Sequence, residues 1–201
     1  GKVLKKLQCE DIFILKFARL SKDLVVTTGK NFRVNIWDVD SGKKIKALIG
    51  HIEKINAVVL IENTVLASGS EDGCIKIWDY SEEGKDAVRI LRQMDEEEVN
   101  PVKVVSTVRV GGKLLLVAGY SNSKVLVWDY KSGSIVSCLY SKMSMNKTHV
   151  SGVESYKEWV LSTYKNSRDI VIWNVNTNKV VLLQEHIGEI RHMVLNNNIN
   201  E

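Results

Sequence analysis

Apolar and polar positions alternate in short β-branched runs along the chain, and each of these runs leads into a tryptophan. Arg33-Val34-Asn35-Ile36 precedes Trp37, Ile75-Lys76-Ile77 precedes Trp78, Val125-Leu126-Val127 precedes Trp128 and Ile170-Val171-Ile172 precedes Trp173. Residues of this type at period two fit a pleated, half-buried surface, so each run predicts a strand. Six residues ahead of each tryptophan stands a small polar residue, Asn31, Asp72, Asn122 or Ser167. Before it lies a second apolar run: Val25-Val26, Val65 to Ala67, Leu114 to Val117 or Trp159 to Leu161. The pattern predicts strand, tight turn, strand. A third strand follows each tryptophan, since Gly1 to Leu7 superimposes on Gly42 to Leu48 with a shift of 41. A fourth strand begins at Ile14, Ile55, Val102, Val150 and Ile190. The tryptophans are 41, 50 and 45 residues apart. Four strands per unit at a near-constant period, with no helical periodicity, predict an all-β radial repeat.

Composition narrows the class. Of 201 residues, 44% are hydrophobic and 26% charged, a globular balance, and no apolar run approaches the roughly 18 residues of a membrane span. One proline against 13 glycines leaves the turns to Gly, Asn, Asp and Ser. The net charge of +4 comes from 28 basic and 24 acidic residues interspersed along the sequence. That mixing predicts a weak long-range field, no specific nucleic-acid partner and no membrane insertion. Cys9, Cys74 and Cys138 form no C-x-x-C pair and suit free thiols in a reducing compartment, so a cytoplasmic location, or a nuclear one, is expected. Gly1 in place of Met, with no apolar signal segment behind it, reads as an interior cut.

One repeat carries a family signature: Gly50-His51, Ile55, Ser68-Gly69-Ser70, Asp72-Gly73 and Trp78-Asp79. It resembles a WD40 repeat. The resemblance implies a β-propeller of four-stranded antiparallel blades, with four complete repeats and partial flanking ones. The expected organisation is a last strand of a preceding repeat at 1–10, repeats at 11–48, 51–91, 98–140 and 146–184, and the start of a further repeat at 185–201. A seven-bladed ring needs roughly 300 residues at 40 to 45 per blade, so the chain reads as part of a longer one.

His51, Ser68 and Asp72 are the residue types of a hydrolytic triad. No G-x-S-x-G elbow or evident oxyanion hole accompanies them. The resemblance implies instead a structural relay of His51, Ser68, Asp72 and Trp78. Four histidines without metal-ligand spacing and the absence of a phosphate-binding loop motif predict no metal, no cofactor and no catalysis. Gly111-Gly112-Lys113 reads as a hairpin turn.

Departures from the repeat are where partner docking is expected, against the plainer readings of the acidic insertion as a solvated loop and of the methionine pair as a local packing plug. An insertion between Trp78 and Val102 carries Asp95, Glu96, Glu97 and Glu98, and another before Val150 carries Met143, Met145, Asn146 and Lys147. Family members often use the residues three and five after the Gly-His histidine and the residue seven before the tryptophan. Carried across, these positions are Lys54, Asn56 and Glu71; Phe13, Leu15 and Lys30; Pro101, Lys103 and Ser121; His149, Ser151 and Asn166; and Glu189 and Arg191. The candidate partner-binding residues are Lys54, Asn56, Glu71, Asp95, Glu96, Glu97, Glu98, Lys103, His149, Asn166 and Arg191. The expected function is a non-catalytic scaffold or adaptor for protein or peptide partners, some with basic segments, inside a multi-protein complex. The competing reading is the substrate-recruiting propeller of a ubiquitin ligase or of a kinase- or GTPase-linked protein.

Overall fold

The computed structural model describes residues 14–81, 86–93, 98–139, 149–184 and 190. Among them are sixteen strands and no helix. The strands form four sheets in chain order. The first holds β1 (Ile14–Arg19), β2 (Leu24–Gly29), β3 (Arg33–Asp38) and β4 (Lys44–Ile49). The second holds β5 (Ile55–Glu62), β6 (Val65–Ser70), β7 (Ile75–Asp79) and β8 (Arg89–Leu91). The third comprises β9 (Val102–Val110), β10 (Lys113–Tyr120), β11 (Val125–Asp129) and β12 (Ser134–Leu139). The fourth comprises β13 (Val150–Tyr156), β14 (Trp159–Tyr164), β15 (Ile170–Asn174) and β16 (Val180–Leu183). Each sheet is a meander in which successive strands are neighbours, and the registered pairs are antiparallel. Each sheet has the four-stranded antiparallel form that the resemblance to WD40 repeats leads one to expect of a blade.

The chain divides into two compact units, Gly1–Val102 and Lys103–Glu201. In the first, Val26, Val34, Ile36 and Leu48 from the first sheet pack with Ile55, Leu66 and Trp78 from the second. In the second unit the core joins Val117, Val125, Val127 and Leu139 to Val150, Val160, Tyr164 and Trp173. Each sheet is thus half of a sandwich whose alternate side chains point at the neighbouring blade, which is why β-branched residues fill the central strands. Gly119 on β10 sets how closely two sheets of the second unit approach, since a Cβ built there would lie 2.5 Å from Val150 Cγ1 and 2.8 Å from Val104 Cγ1.

The first strands of three sheets share an irregularity. Pairing skips one residue immediately after the strand begins: Leu15 in β1, Asn56 in β5 and Ser151 in β13. A bulge at this place re-aims one side chain out of the pleat at the end of the blade.

Candidate functional site

At the second sheet's turn end, four side chains form one hydrogen-bonded chain. Trp78 Nε1 donates to Ser68 Oγ at 2.8 Å, Ser68 Oγ lies 2.8 Å from His51 Nε2, and His51 Nδ1 lies 2.7 Å from Asp72 Oδ2. One tautomer satisfies every group: Nδ1–H donates to the carboxylate and Nε2 accepts the serine proton, leaving the serine oxygen to accept from the indole. Asp72 also accepts the backbone N–H groups of Cys74 at 2.9 Å and Ile52 at 3.3 Å. Burial alone would raise the Asp72 pKa, but the hydrogen bond and charge of His51, with the two backbone donors, hold it below the usual carboxylate range. The chain links the loop before β5, strand β6, the β6–β7 turn and strand β7.

This arrangement shares its atoms with a hydrolytic triad and lacks its access. Ser68 is 0% exposed and the His51 and Asp72 side chains are almost wholly enclosed. The indole N–H also occupies the oxygen that a nucleophile would use.

The other sheets solve the same problem with different residues. Register places Thr27, Ala118 and Ser162 where the second sheet has Ser68. Thr27 Oγ1 accepts from Trp37 Nε1 at 2.8 Å. Ala118 has no hydroxyl, and Tyr120, two residues on, supplies one: Trp128 Nε1 donates to Tyr120 OH at 3.1 Å. Tyr164 occupies the matching place in the fourth sheet, where Ser162 Oγ donates to its hydroxyl at 3.3 Å. Neither tyrosine stands out from the tryptophan spacing. The available signal is the missing hydroxyl at Ala118 with a tyrosine following at the next inward position.

Outside the buried chain, Lys54, Asn56 and Glu71 meet. Glu71 Oε1 accepts from Asn56 Nδ2 at 2.9 Å and lies 3.4 Å from Lys54 Nζ. Asn56 Nδ2 also donates to the carbonyl of Val102, the last residue of the first unit, at 2.8 Å. The backbone fixes the group from beneath, because Glu71 N–H donates to Lys54 O at 3.0 Å and Asn56 is the bulged residue of β5. Glu98 lines a small open pocket with Asp72, Gly73, Arg92 and Asn100. The rest of the acidic run, Asp95, Glu96 and Glu97, lies outside the described residues, as do Phe13, Glu189, Arg191 and the Met143–Lys147 insertion.

In the second unit, Lys103 follows the first residue of β9 and His149 precedes β13. The backbone contact between Lys54 and Glu71 has its counterpart in Lys165 N–H donating to His149 O at 3.1 Å. Lys165, not Asn166, therefore stands in Glu71's place. The β14–β15 turn is one residue longer than β6–β7, since Val160 pairs with Trp173 where Leu66 pairs with Trp78, and counting back from the tryptophan lands one residue late. Asn166 takes the left-handed conformation of that longer turn, at φ 59°. Among the described residues, no cluster of three or more His, Cys, Asp or Glu side chains is arranged to hold a metal ion. Among them too, no helix is long and apolar enough to cross a membrane.

The blades have known relatives. The chain is 27% identical over 181 residues to pre-mRNA-processing factor 19 of Oryza sativa subsp. japonica, covering 89% of this chain and 33% of that protein. It is 26% identical over 182 residues to COMPASS component SWD3 of Saccharomyces cerevisiae, covering 85% and 56% respectively. Against the ribosome biogenesis protein WDR12 homolog of Arabidopsis thaliana the identity is 27% over 140 residues, covering 68% and 30%. The chain thus spans about a third of the rice and Arabidopsis proteins and a little over half of the yeast one. Residues 10–199, nearly the whole chain, match the family described as nucleolar protein 10-like, N-terminal domain. With its hydroxyl-bound tryptophans and four-stranded blades, the chain belongs to this family of WD-repeat β-propellers.

Proposed function

We infer that this chain is a non-catalytic scaffold that presents blade ends to protein or peptide partners in a larger assembly. The observation that carries the reading is the Lys54–Asn56–Glu71 group: polar side chains at the end of a blade, tied to each other and held over a buried relay that fixes the turn. Groups pre-set in this way lose little freedom on binding, which favours recognition. The relay itself is structural, because a serine enclosed on all sides and hydrogen-bonded to an indole cannot reach a substrate. The printed names of the relatives, a pre-mRNA-processing factor, a COMPASS component and a ribosome biogenesis protein, support membership of a multi-protein complex. With the nucleolar family name they favour a nuclear location over a cytoplasmic one. The competing role in ubiquitin ligation gains nothing from the blade ends, where Lys30, Glu71 and Ser121 offer no arginine for bidentate phosphate binding.

The test is a charge swap in the full-length protein. Lys54→Glu with Asn56→Ala should release stoichiometric partners that co-purify with wild type at temperatures well below its thermal midpoint, which loss of the Asn56 hydrogen bonds to Glu71 and Val102 should lower by several degrees. An unchanged set of partners would move the docking surface elsewhere.

A further inference from the structure

The second unit has a basic end that the sequence order conceals. Turns β9–β10, β11–β12, β13–β14 and β15–β16 fall at one end of its two sheets, because each sheet is an antiparallel meander starting from the opposite end. Contacts between the sheets align those ends. Ser155 donates its hydroxyl to the carbonyl of Thr107, and Ser137 reaches Asn178 at 3.5 Å, while Gly119 meets Val150 towards the other end. Onto this end the four turns bring Arg109, Lys113, Lys131, Lys157 and Lys179, all exposed. Against them stand Asp129, which is buried and bound to Lys113 at 2.8 Å, and Glu158. The corresponding turns of the first unit mix signs, with Lys22, Lys43 and Lys44 among Asp23, Asp40 and Glu62.

We propose that this end of the second unit binds single-stranded RNA. Five cations over four turns, against Asp129, Glu158 and the half-buried Glu154 two residues before Tyr156 on β13, form a surface for a polyanion. Two further features favour RNA over an acidic protein segment. Tyr156 is 48% exposed among the lysines, with Lys157 Nζ over one face of its ring at 5.2 Å from the centroid, and an unpaired base can stack on the other face where a carboxylate gains nothing. Exposed Ser132, Asn176, Thr177 and Asn178 lie between the cations and offer neutral donors to phosphate and ribose. Lysines, as flexible point charges, suit sequence-independent backbone contact. The proposal is independent of the docking group around Glu71, which lies in the other unit.

The experiment is fluorescence anisotropy of a labelled 20-nucleotide oligouridylate with the full-length protein across ionic strengths. Replacing Lys131, Lys157 and Lys179 together with Gln should weaken binding on the order of tenfold and flatten the slope of log affinity against log salt by about 2. Tyr156→Ala should weaken it about tenfold with the slope preserved. Gln at Lys124 and Arg168, in the β10–β11 and β14–β15 turns at the opposite end of the unit, should leave affinity within about twofold, since those charges lie beyond effective screening distance of the bound strand. A loss from this control equal to that of the triple variant, or none from the triple variant, would overturn the proposal. So would displacement of the RNA by poly-glutamate at equal charge together with an indifferent Tyr156→Ala, which would assign the surface to an acidic protein. Thermal melts of each variant separate these outcomes from unfolding.

Discussion

At the scale of single residues, the blade is held by a few buried polar atoms that are hydrogen-bonded to one another. Asp72→Ala leaves His51 Nδ1 and the Cys74 and Ile52 N–H groups without their acceptor, so it should cost about 1–3 kcal/mol in chemical denaturation. Tyr120→Phe should cost a similar 1–3 kcal/mol, roughly, for stranding the Trp128 indole N–H, although no histidine or aspartate is involved. A Tyr120→Phe protein as stable as wild type would show that the indole finds another acceptor. The two described thiols should also separate. Burial raises the Cys74 pKa more than the neighbouring Arg92 guanidinium, which donates to its sulfur at 3.2 Å, lowers it. Cys138 lies exposed on β12. Brief alkylation at neutral pH should therefore label Cys138 well before Cys74, read by peptide mass spectrometry.

At the scale of strands and turns, the close approach at Gly119 gives a sharp prediction. Gly119→Ala drives a methyl group into Val150 Cγ1 and Val104 Cγ1, both β-branched and unable to rotate aside, so it should destabilise the second unit by about 1–3 kcal/mol. Val150→Ala in the same protein should recover part of that loss. Gly111→Ala meets open space and pays only for its positive φ. Much of this level was legible in sequence, because an alternating β-branched run ending in Trp can satisfy both its apolar face and its indole only inside a blade. The observed starts of β5, β9 and β13 fall on Ile55, Val102 and Val150 as the pattern expects. The extra residue of the β14–β15 turn was not legible, since Asn166 and Ser167 mimic the Glu71-Asp72 spacing although the backbone register has shifted. Nor was the bulge at Asn56, which depends on pairing with β6 and leaves no mark on local alternation. The basic end was hidden for a related reason: charges well mixed along the chain are sorted by alternate turns, and only the meander determines which turns share an end.

At the scale of the whole molecule, the two compact units should respond differently to acid. In the first unit the Asp72 pKa is lowered in the folded state, so its contribution is fully present above the unfolded-state value near 3.8 and is lost as pH falls through the folded value. Protonation there also leaves His51 enclosed beside a neutral acid. In the second unit the Asp129 pKa is lowered too, chiefly by its hydrogen bond to Lys113, and the sign is the same. Its loss matters less, because Lys113 is largely exposed and returns to water at little cost. Glu154 works the other way: burial raises its pKa, so protonation favours the folded second unit as pH drops through that raised value. Below about pH 3.8 the first unit should therefore open first. Pepsin, active at such pH, should cut between residues 14 and 102 before it cuts between 103 and 183, and at pH 5 neither region should be cleaved quickly. Asp72→Asn should carry much of the first unit's sensitivity up to pH 5, because the folded state has already lost the carboxylate. Simultaneous cleavage of both units in wild type at every pH would mean that they unfold as one cooperative body, with the relay's acid dependence spread over both.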